Sequence, residues 1–310
     1  MAEVIAKATD VEVIYGDKPA LDKINMSVKK GDIYALIGKN GAGKTTLLRL
    51  FTGQNAPDYG SIELFGKKGT HGLNEARKRT GAIIETPAFY PFFSAERNLE
   101  YYRIQRGIDD PSIVETVLKK TGLYEAKDKK FKNFSLGMKQ RLGIALSLMH
   151  DPEFLILDEP INGLDPAGIV EMRKLMLRLN KENGLTIIIS SHILSELANM
   201  ATCYGFIDHG QILQEMSAEE LEAKEKSYVK VRTSNGEKAA KYLSKELQLD
   251  ASYNADEDTI YIYFENNAVY LTEKISRFLF EMGYDLYSLE IVKTTLEDFF
   301  IELLGGTTIE

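Results

Sequence analysis

The sequence predicts an α/β fold. A largely parallel sheet with crossover helices is expected at its centre, with an antiparallel β subdomain, an inserted helical subdomain and a small α+β C-terminal domain around it. Three observations predict this. Strand-length apolar runs at Ile33-Tyr34-Ala35-Leu36-Ile37, Phe154-Leu155-Ile156-Leu157 and Leu185-Thr186-Ile187-Ile188-Ile189 alternate with helical patterns, which is the order that builds parallel sheets. The segment Gly38-Lys39-Asn40-Gly41-Ala42-Gly43-Lys44-Thr45 matches the phosphate-binding pattern G-x-x-x-x-G-K-[ST] at every fixed position. Near Lys224-Glu225-Lys226 the character of the chain changes. The expected domains are therefore 1–224, with the helical insertion at about 86–150, and 225–310.

From the N-terminus, Glu12-Val13-Ile14-Tyr15, a turn at Gly16-Asp17-Lys18-Pro19, and Ile24-Asn25-Met26-Ser27-Val28 read as short antiparallel strands. A further strand pair is expected to flank Asp58-Tyr59-Gly60. The run 33–37 delivers a buried strand into the glycine-rich loop, and Thr46-Leu47-Leu48-Arg49-Leu50-Phe51 continues it as a helix. A strand–loop–helix context is what the motif needs. Its glycines turn backbone N–H groups inward around a phosphate, and the helix dipole points at the same anion. The nucleotide-contacting stretch is expected to run from Gly38 to Thr46, with Lys44 reaching the β/γ-phosphates and the Thr45 hydroxyl on Mg²⁺.

Residues from Ala95 to about His150 turn helical. Within them, Ser135 is a good N-cap for the apolar helix that follows Gly137. A serine, a glycine and a helix N-terminus make a second anion site. One nucleotide needs only one phosphate loop, so a second site makes sense if two chains pair head-to-tail, each closing over the other's γ-phosphate. Leu155-Ile156-Leu157 then ends in Asp158 and Glu159. Such a strand brings Asp158 to the Mg²⁺, and alternation points Glu159 elsewhere, where it is placed to take a proton from the attacking water. A helix is expected from Gly168 to about Lys181, and another at Ile193–Met200 after His192. Beyond 226, the pattern reads as strand 228–232, helix 236–247, strands 250–254 and 259–264, helix 269–282, strand 285–291 and helix 294–304. That order, βαββαβ plus a helix, resembles a ferredoxin-like domain.

Bulk properties narrow the function. With 310 residues the chain can bury a proper core, and its 44% hydrophobic and 27% charged content is ordinary for a globular protein. A net charge of −8 argues against a broad basic surface for nucleic acid. Cys203 is the single cysteine, which fits a reducing compartment and leaves no cysteine cluster for a metal. The N-terminus has no signal-peptide pattern, and no run approaches the ~18 apolar residues of a membrane span. Membrane work would be done through a partner.

Taken in order, these features resemble an ATP-binding cassette (ABC) nucleotide-binding subunit over roughly residues 3–222. The resemblance gives a P-loop NTPase core. It implies an A-loop at Tyr15, Walker A at Gly38–Thr45, a Q-loop position at Glu85, a signature at Ser135–Met138, and Walker B at Leu155–Asp158. It further implies the base at Glu159, a D-loop at Asn162-Gly163-Leu164-Asp165, and the switch histidine at His192. By that resemblance Tyr15 stacks on adenine, Glu85 reaches Mg²⁺ or the attacking water, Asp165 signals across the dimer, and His192 contacts the γ-phosphate. Each has a plainer reading: Tyr15 as a sheet-edge packer, His192 as the start of a helix.

Two departures stand out. Leu136 and Met138 replace Gly and Gln of the usual Leu-Ser-Gly-Gly-Gln, while Ser135 and Gly137 are kept. Glu85 stands where most relatives carry Gln, adding a negative charge beside phosphates that the metal must offset. Glu85, the segment Phe134–Arg141 and the tail Leu296-Glu297-Asp298-Phe299-Phe300 together resemble the bacitracin- and lantibiotic-export ATPases. This implies a cytoplasmic ATPase, peripheral on the inner face of the membrane. It would form a homodimer around two ATP–Mg²⁺, power a separate permease, and touch the exported substrate only through that permease. The run Phe89-Tyr90-Pro91-Phe92-Phe93 has two readings, a groove for a permease helix or core packing of the helical subdomain. The rival functions are a non-transport ABC ATPase and an ATP sensor that does not hydrolyse.

Overall fold

The computed structural model describes residues 3–85, 88–224, 227–264, 268–293 and 296–304. The expected start of the helical insertion at 86, and the first residues after the expected boundary at 224, lie outside the described residues. The chain divides into two compact units, Met1–Glu219 and Glu220–Glu310.

The first unit opens with β1 (Val4–Tyr15), β2 (Lys18–Lys29), β3 (Ile33–Ile37), α1 (Lys44–Thr52), β4 (Tyr59–Leu64), α2 (Gly69–Arg77) and β5 (Thr80–Ile83). It continues through α3 (Ala95–Gln105), α4 (Ser112–Lys120), α5 (Leu136–Ser147), β6 (Phe154–Asp158), α6 (Pro166–Asn183), β7 (Thr186–Ser191), α7 (Leu194–Ala198), β8 (Cys203–Asp208) and β9 (Gln211–Ser217). The central sheet has the order β5-β6-β7-β3-β8-β9. Its strands are parallel except β9, which runs antiparallel to β8. Strands β3 and β7 are buried along their whole length, as continuous apolar runs in a covered parallel sheet should be.

A second, antiparallel sheet has the order β2-β1-β4. Its inner face shares one core with α1 and the central sheet, where Val11, Ile24 and Val28 join Leu47, Phe51, Leu36 and Tyr34. The expected strand pair around Asp58-Tyr59-Gly60 is not formed. Those residues lead into the single strand β4, which pairs with β1 through a register shift between Thr9 and Glu12. Gly60, at φ +80°, lies where a Cβ would meet the Asp10 carbonyl oxygen at 2.2 Å. Its turn-like character serves a close strand approach rather than a reversal.

The division between units falls within α8 (Ala218–Lys224). The second unit then runs β10 (Ser227–Thr233), α9 (Gly236–Leu247), β11 (Asp250–Asn254), β12 (Thr259–Phe264), α10 (Ala268–Glu281), β13 (Leu286–Lys293) and α11 (Leu296–Leu303). Its sheet, β11-β12-β10-β13, is antiparallel throughout. This is the ferredoxin-like order that the element sequence suggested. Val229, Val231, Ile260 and Ile262 alternate inward against Ala239, Leu243, Ile275 and Leu279 of the two long helices.

Candidate active site

β3 ends at Ile37, and at Gly38, the next residue, a Cβ would lie 2.3 Å from the Ile207 carbonyl oxygen, so the loop can leave the sheet there only without a side chain. Gly43, at φ +108°, caps the start of α1, and a Cβ there would meet Leu21 at 2.8 Å and the Ala20 carbonyl oxygen at 2.9 Å. Lys44, the first residue of α1, is 6% exposed. A lysine so buried needs partners, and it has three. Its Nζ donates to the Gly38 carbonyl at 2.7 Å and the Lys39 carbonyl at 3.2 Å, and pairs with Glu159 Oε1 at 3.2 Å. The ammonium therefore sits inside the curve of the loop.

One residue on, Thr45 Oγ1 donates to Asp158 Oδ2 at 2.8 Å. Asp158 ends β6, directly opposite Ser190 of β7. The Ser190 hydroxyl donates to Asp158 Oδ1 at 2.6 Å and accepts from the Glu159 N–H at 2.9 Å. Glu159 itself lies in the left-handed region at φ +48°, a strained conformation for a side-chain-bearing residue. It turns its carboxylate back towards Lys44 on one oxygen and towards His192 Nδ1, 2.8 Å away, on the other. With Nδ1 donating to the acid, Nε2 is left as the ring's second polar atom.

The structure thus brings Lys44, Thr45, Asp158, Glu159 and His192 into one connected network. Ser190 is fully buried at its centre, and the sequence reading gave it no role. The signal was present: two serines follow the apolar run Ile187-Ile188-Ile189 at the end of the strand beside the Asp158 strand.

The remaining expected residues lie elsewhere. Tyr15 ends β1, is 54% exposed, and accepts a hydrogen bond from Asn55 Nδ2 at 2.6 Å, so it presents ring surface to solvent rather than packing a sheet edge. Glu85, at φ +65°, is ion-paired to Arg49 of α1. Ser135 is the N-cap of α5 and accepts from the Met138 N–H at 3.3 Å. Gly137 lies beside Leu164, and Leu136 beside Gly163, so the helix start and the loop before α6 form one surface. Asp165 caps α6, accepting from the Gly168 N–H at 3.1 Å. In the aromatic run, Phe89 packs on Phe131 and Tyr102, and Phe93 lies under Arg97 and against Tyr90. Phe92 instead projects, 70% exposed. Core packing therefore holds for Phe89 and Phe93, and Phe92 lies outside that packing.

Residues 21–162 match the family described as ABC transporter. The chain is 39% identical over 305 residues to the bacitracin transport ATP-binding protein BcrA of Bacillus licheniformis, covering 98% of this chain and 99% of that protein.

The chain belongs to the ABC transporter ATP-binding family.

The family likeness extends through the second unit, since the BcrA match covers nearly the whole chain. The lantibiotic transport ATP-binding protein SrtF of Streptococcus pyogenes is 44% identical over 209 residues, 67% of this chain and 89% of that protein. Among solved structures, CbiO1 of Clostridium perfringens, part of the ABC transporter complex CbiONQ, aligns with a TM-score of 0.65 and 29% identity over 79% of this chain and 97% of that one. The chain is accordingly the ATP-binding subunit of an ABC transporter. Among the described residues no helix is long and apolar enough to cross a membrane.

Proposed function

We propose that this subunit hydrolyses ATP and that the energy drives a separate membrane permease exporting an antimicrobial peptide of the bacitracin or lantibiotic type. The network joining Lys44, Thr45, Asp158, Glu159 and His192 carries the first part; the likeness to BcrA and SrtF supports the second.

Lys44 holds its ammonium against the loop carbonyls of Gly38 and Lys39, so the β/γ-phosphates and Glu159 would compete for the same charge. A phosphate on Lys44 frees Glu159 to accept the proton of the attacking water, the role of a general base. Ser190 holds the Glu159 N–H and so fixes the strained backbone that aims this acid. His192 steadies the other carboxylate oxygen through Nδ1, and its Nε2 would meet the γ-phosphate. The Thr45 hydroxyl and Asp158 carboxylate, 2.8 Å apart, are hard oxygen donors that suit Mg²⁺. When bound, Mg²⁺ would neutralise phosphate charge as it spreads in the transition state. Closure is assigned to a second copy. Its exposed α5 start, with Ser135 and Gly137, would supply helix-dipole and N–H stabilisation to the γ-phosphate in a head-to-tail dimer. Tyr15 would stack on adenine, and exposed Phe92 would meet the permease. The subunit would then work in the cytoplasm, on the inner face of the membrane.

Two measurements test this reading. Phosphate release from ATP by the purified chain separates a hydrolase from a sensor, and an inactive chain would contradict hydrolysis. Co-expression with its permease in a sensitive host should raise the inhibitory concentration of bacitracin or a lantibiotic. An unchanged concentration, with the ATPase active, would contradict the assigned cargo.

A further inference from the structure

We propose that Arg173 is a positioning residue for His192. Through Glu196 it holds the turn that carries His192, and its unused donor draws that turn closer when ATP loads the site. The inference rests on the reading that the network of Lys44, Glu159 and His192 hydrolyses ATP. Arg173 stands in the middle of α6, where Met172, Leu175 and Met176 are buried, so this long helix is fixed in the core. The helix after His192 is not built to hold itself. α7 has five residues, far fewer than a helix needs to be stable alone. Leu194 and Leu197 bury one side of it, and Ser191 Oγ accepts from the Ile193 N–H at 2.9 Å at its start. An ion pair ties it to α6: Arg173 Nη2 donates to Glu196 Oε2, with the two side chains 25% and 23% exposed.

That tie is half made. Elsewhere in this chain, arginine–glutamate pairs use the full side-on fork. Arg79 donates from Nε and Nη2 to the two oxygens of Glu153 at 2.6 and 2.7 Å, and Arg103 does so to Glu100 at 2.7 Å each. Towards Glu196, Arg173 uses Nη2 alone. Its Nε is buried without a hydrogen-bond partner, the one such side-chain atom among the described residues. Buried donors are normally satisfied, and one left unmade carries its desolvation cost without return. A small shift of α7 towards α6, bringing the second Glu196 oxygen to Nε, completes the fork. What opposes that shift lies at the other end of the turn. His192 Nδ1 is held 2.8 Å from Glu159, and Glu159 is held 3.2 Å from Lys44. A phosphate taken up by Lys44 loosens this series of contacts, and Arg173 Nε gives the freed turn its destination.

The test is hydrogen–deuterium exchange over residues 190–200 of the full-length chain, with and without a non-hydrolysable ATP analogue and Mg²⁺, beside phosphate release from ATP. In the wild type the analogue should slow exchange over Leu194–Ala198. Arg173→Met should lose that slowing, and Arg173→Lys, which keeps the charge but not the fork, should lose most of it. In Arg173→Met kcat should fall on the order of tenfold, while KM for ATP changes less than about twofold because Lys44 and its loop are untouched. In a His192→Ala background, Arg173→Met should cost no further turnover. A merely structural role would instead lower Tm and turnover alike in both backgrounds. Equal slowing by the analogue in the wild type and Arg173→Met would overturn the proposal. So would a wild-type kcat in Arg173→Met, or an undiminished Arg173→Met effect without His192. A wild-type chain that releases no phosphate, with the difference in exchange intact, would instead overturn the hydrolysis reading and leave the Arg173 tie standing.

Discussion

Ser190→Ala is the most informative perturbation of the site, because Ser190 touches no nucleotide in the proposed mechanism yet ties its two acids together. The hydroxyl is fully buried. It donates to Asp158 at 2.6 Å and accepts from the Glu159 N–H at 2.9 Å. Losing a hydrogen bond to a charged acceptor costs about 1.5–3 kcal/mol, and leaving a buried N–H without an acceptor costs about 1–3 kcal/mol. Relaxation of Glu159 from its left-handed backbone returns part of this, so a net loss of about 3 kcal/mol is expected. For a unit of this size that lowers Tm on the order of 10 °C. Turnover should fall on the order of tenfold to a hundredfold, because the base loses the backbone tether that aims it. Differential scanning calorimetry with and without ATP, and phosphate release at saturating ATP, measure both. A variant with unchanged Tm and turnover would refute the claim that Ser190 organises Asp158 and Glu159.

Three further outcomes are expected. Burial pushes the Glu215 carboxyl above its ordinary range although the Tyr34 hydroxyl donates to it at 2.8 Å and the Ser27 N–H at 3.2 Å. A raised folded-state value means that the protonated acid is the form the fold prefers. Its contribution is therefore full below the unfolded carboxylate value and lost as pH rises through the folded one. Glu215→Gln keeps the acceptor without the charge, so it should raise Tm near pH 7, with the gain shrinking as pH falls through the raised folded value and gone below the unfolded carboxylate value of about 4.3; a pH-independent difference would contradict this. Burial, with Asp32 and Glu215 adding to it, pushes the Cys203 thiol up to about 12. Maleimide labelling near pH 7 should thus be slow in the native chain and fast in guanidinium, and rapid native labelling would count against the buried setting. Phe92→Ala, at the one strongly exposed ring of its run, should leave ATP hydrolysis by the isolated chain intact and weaken resistance in cells carrying the permease. Full resistance would remove Phe92 from the permease contact.

Much of this was readable from sequence because it is local. The phosphate loop is contiguous, its glycines are required by close approaches at Gly38 and Gly43, and apolar elements flank it on both sides. The second unit was legible element by element because Val229, Val231, Ile260 and Ile262 alternate strictly with polar or aromatic neighbours. What escaped is tertiary. β8 drew no expectation because Gly205 interrupts its run; a Cβ there would lie 2.0 Å from the Tyr34 hydroxyl, so the glycine makes room for a buried ring from the next strand. Ser190 gains its role only when β7 meets β6, and the Arg49–Glu85 ion pair forms only when the chain after β5 folds back on α1. No spacing along the chain encodes either meeting.

The central claim is that this chain is one half of an ATP-hydrolysing site with Glu159 as its base. Glu159→Gln with ATP and Mg²⁺, followed at once by phosphate release and by light scattering, tests it most directly. The account predicts a loss of turnover on the order of a hundredfold to ten-thousandfold, together with a stable ATP-bound dimer that disperses when nucleotide is removed. Hydrolysis at the wild-type rate would contradict the role of Glu159, and a strictly monomeric variant in ATP would contradict the shared site.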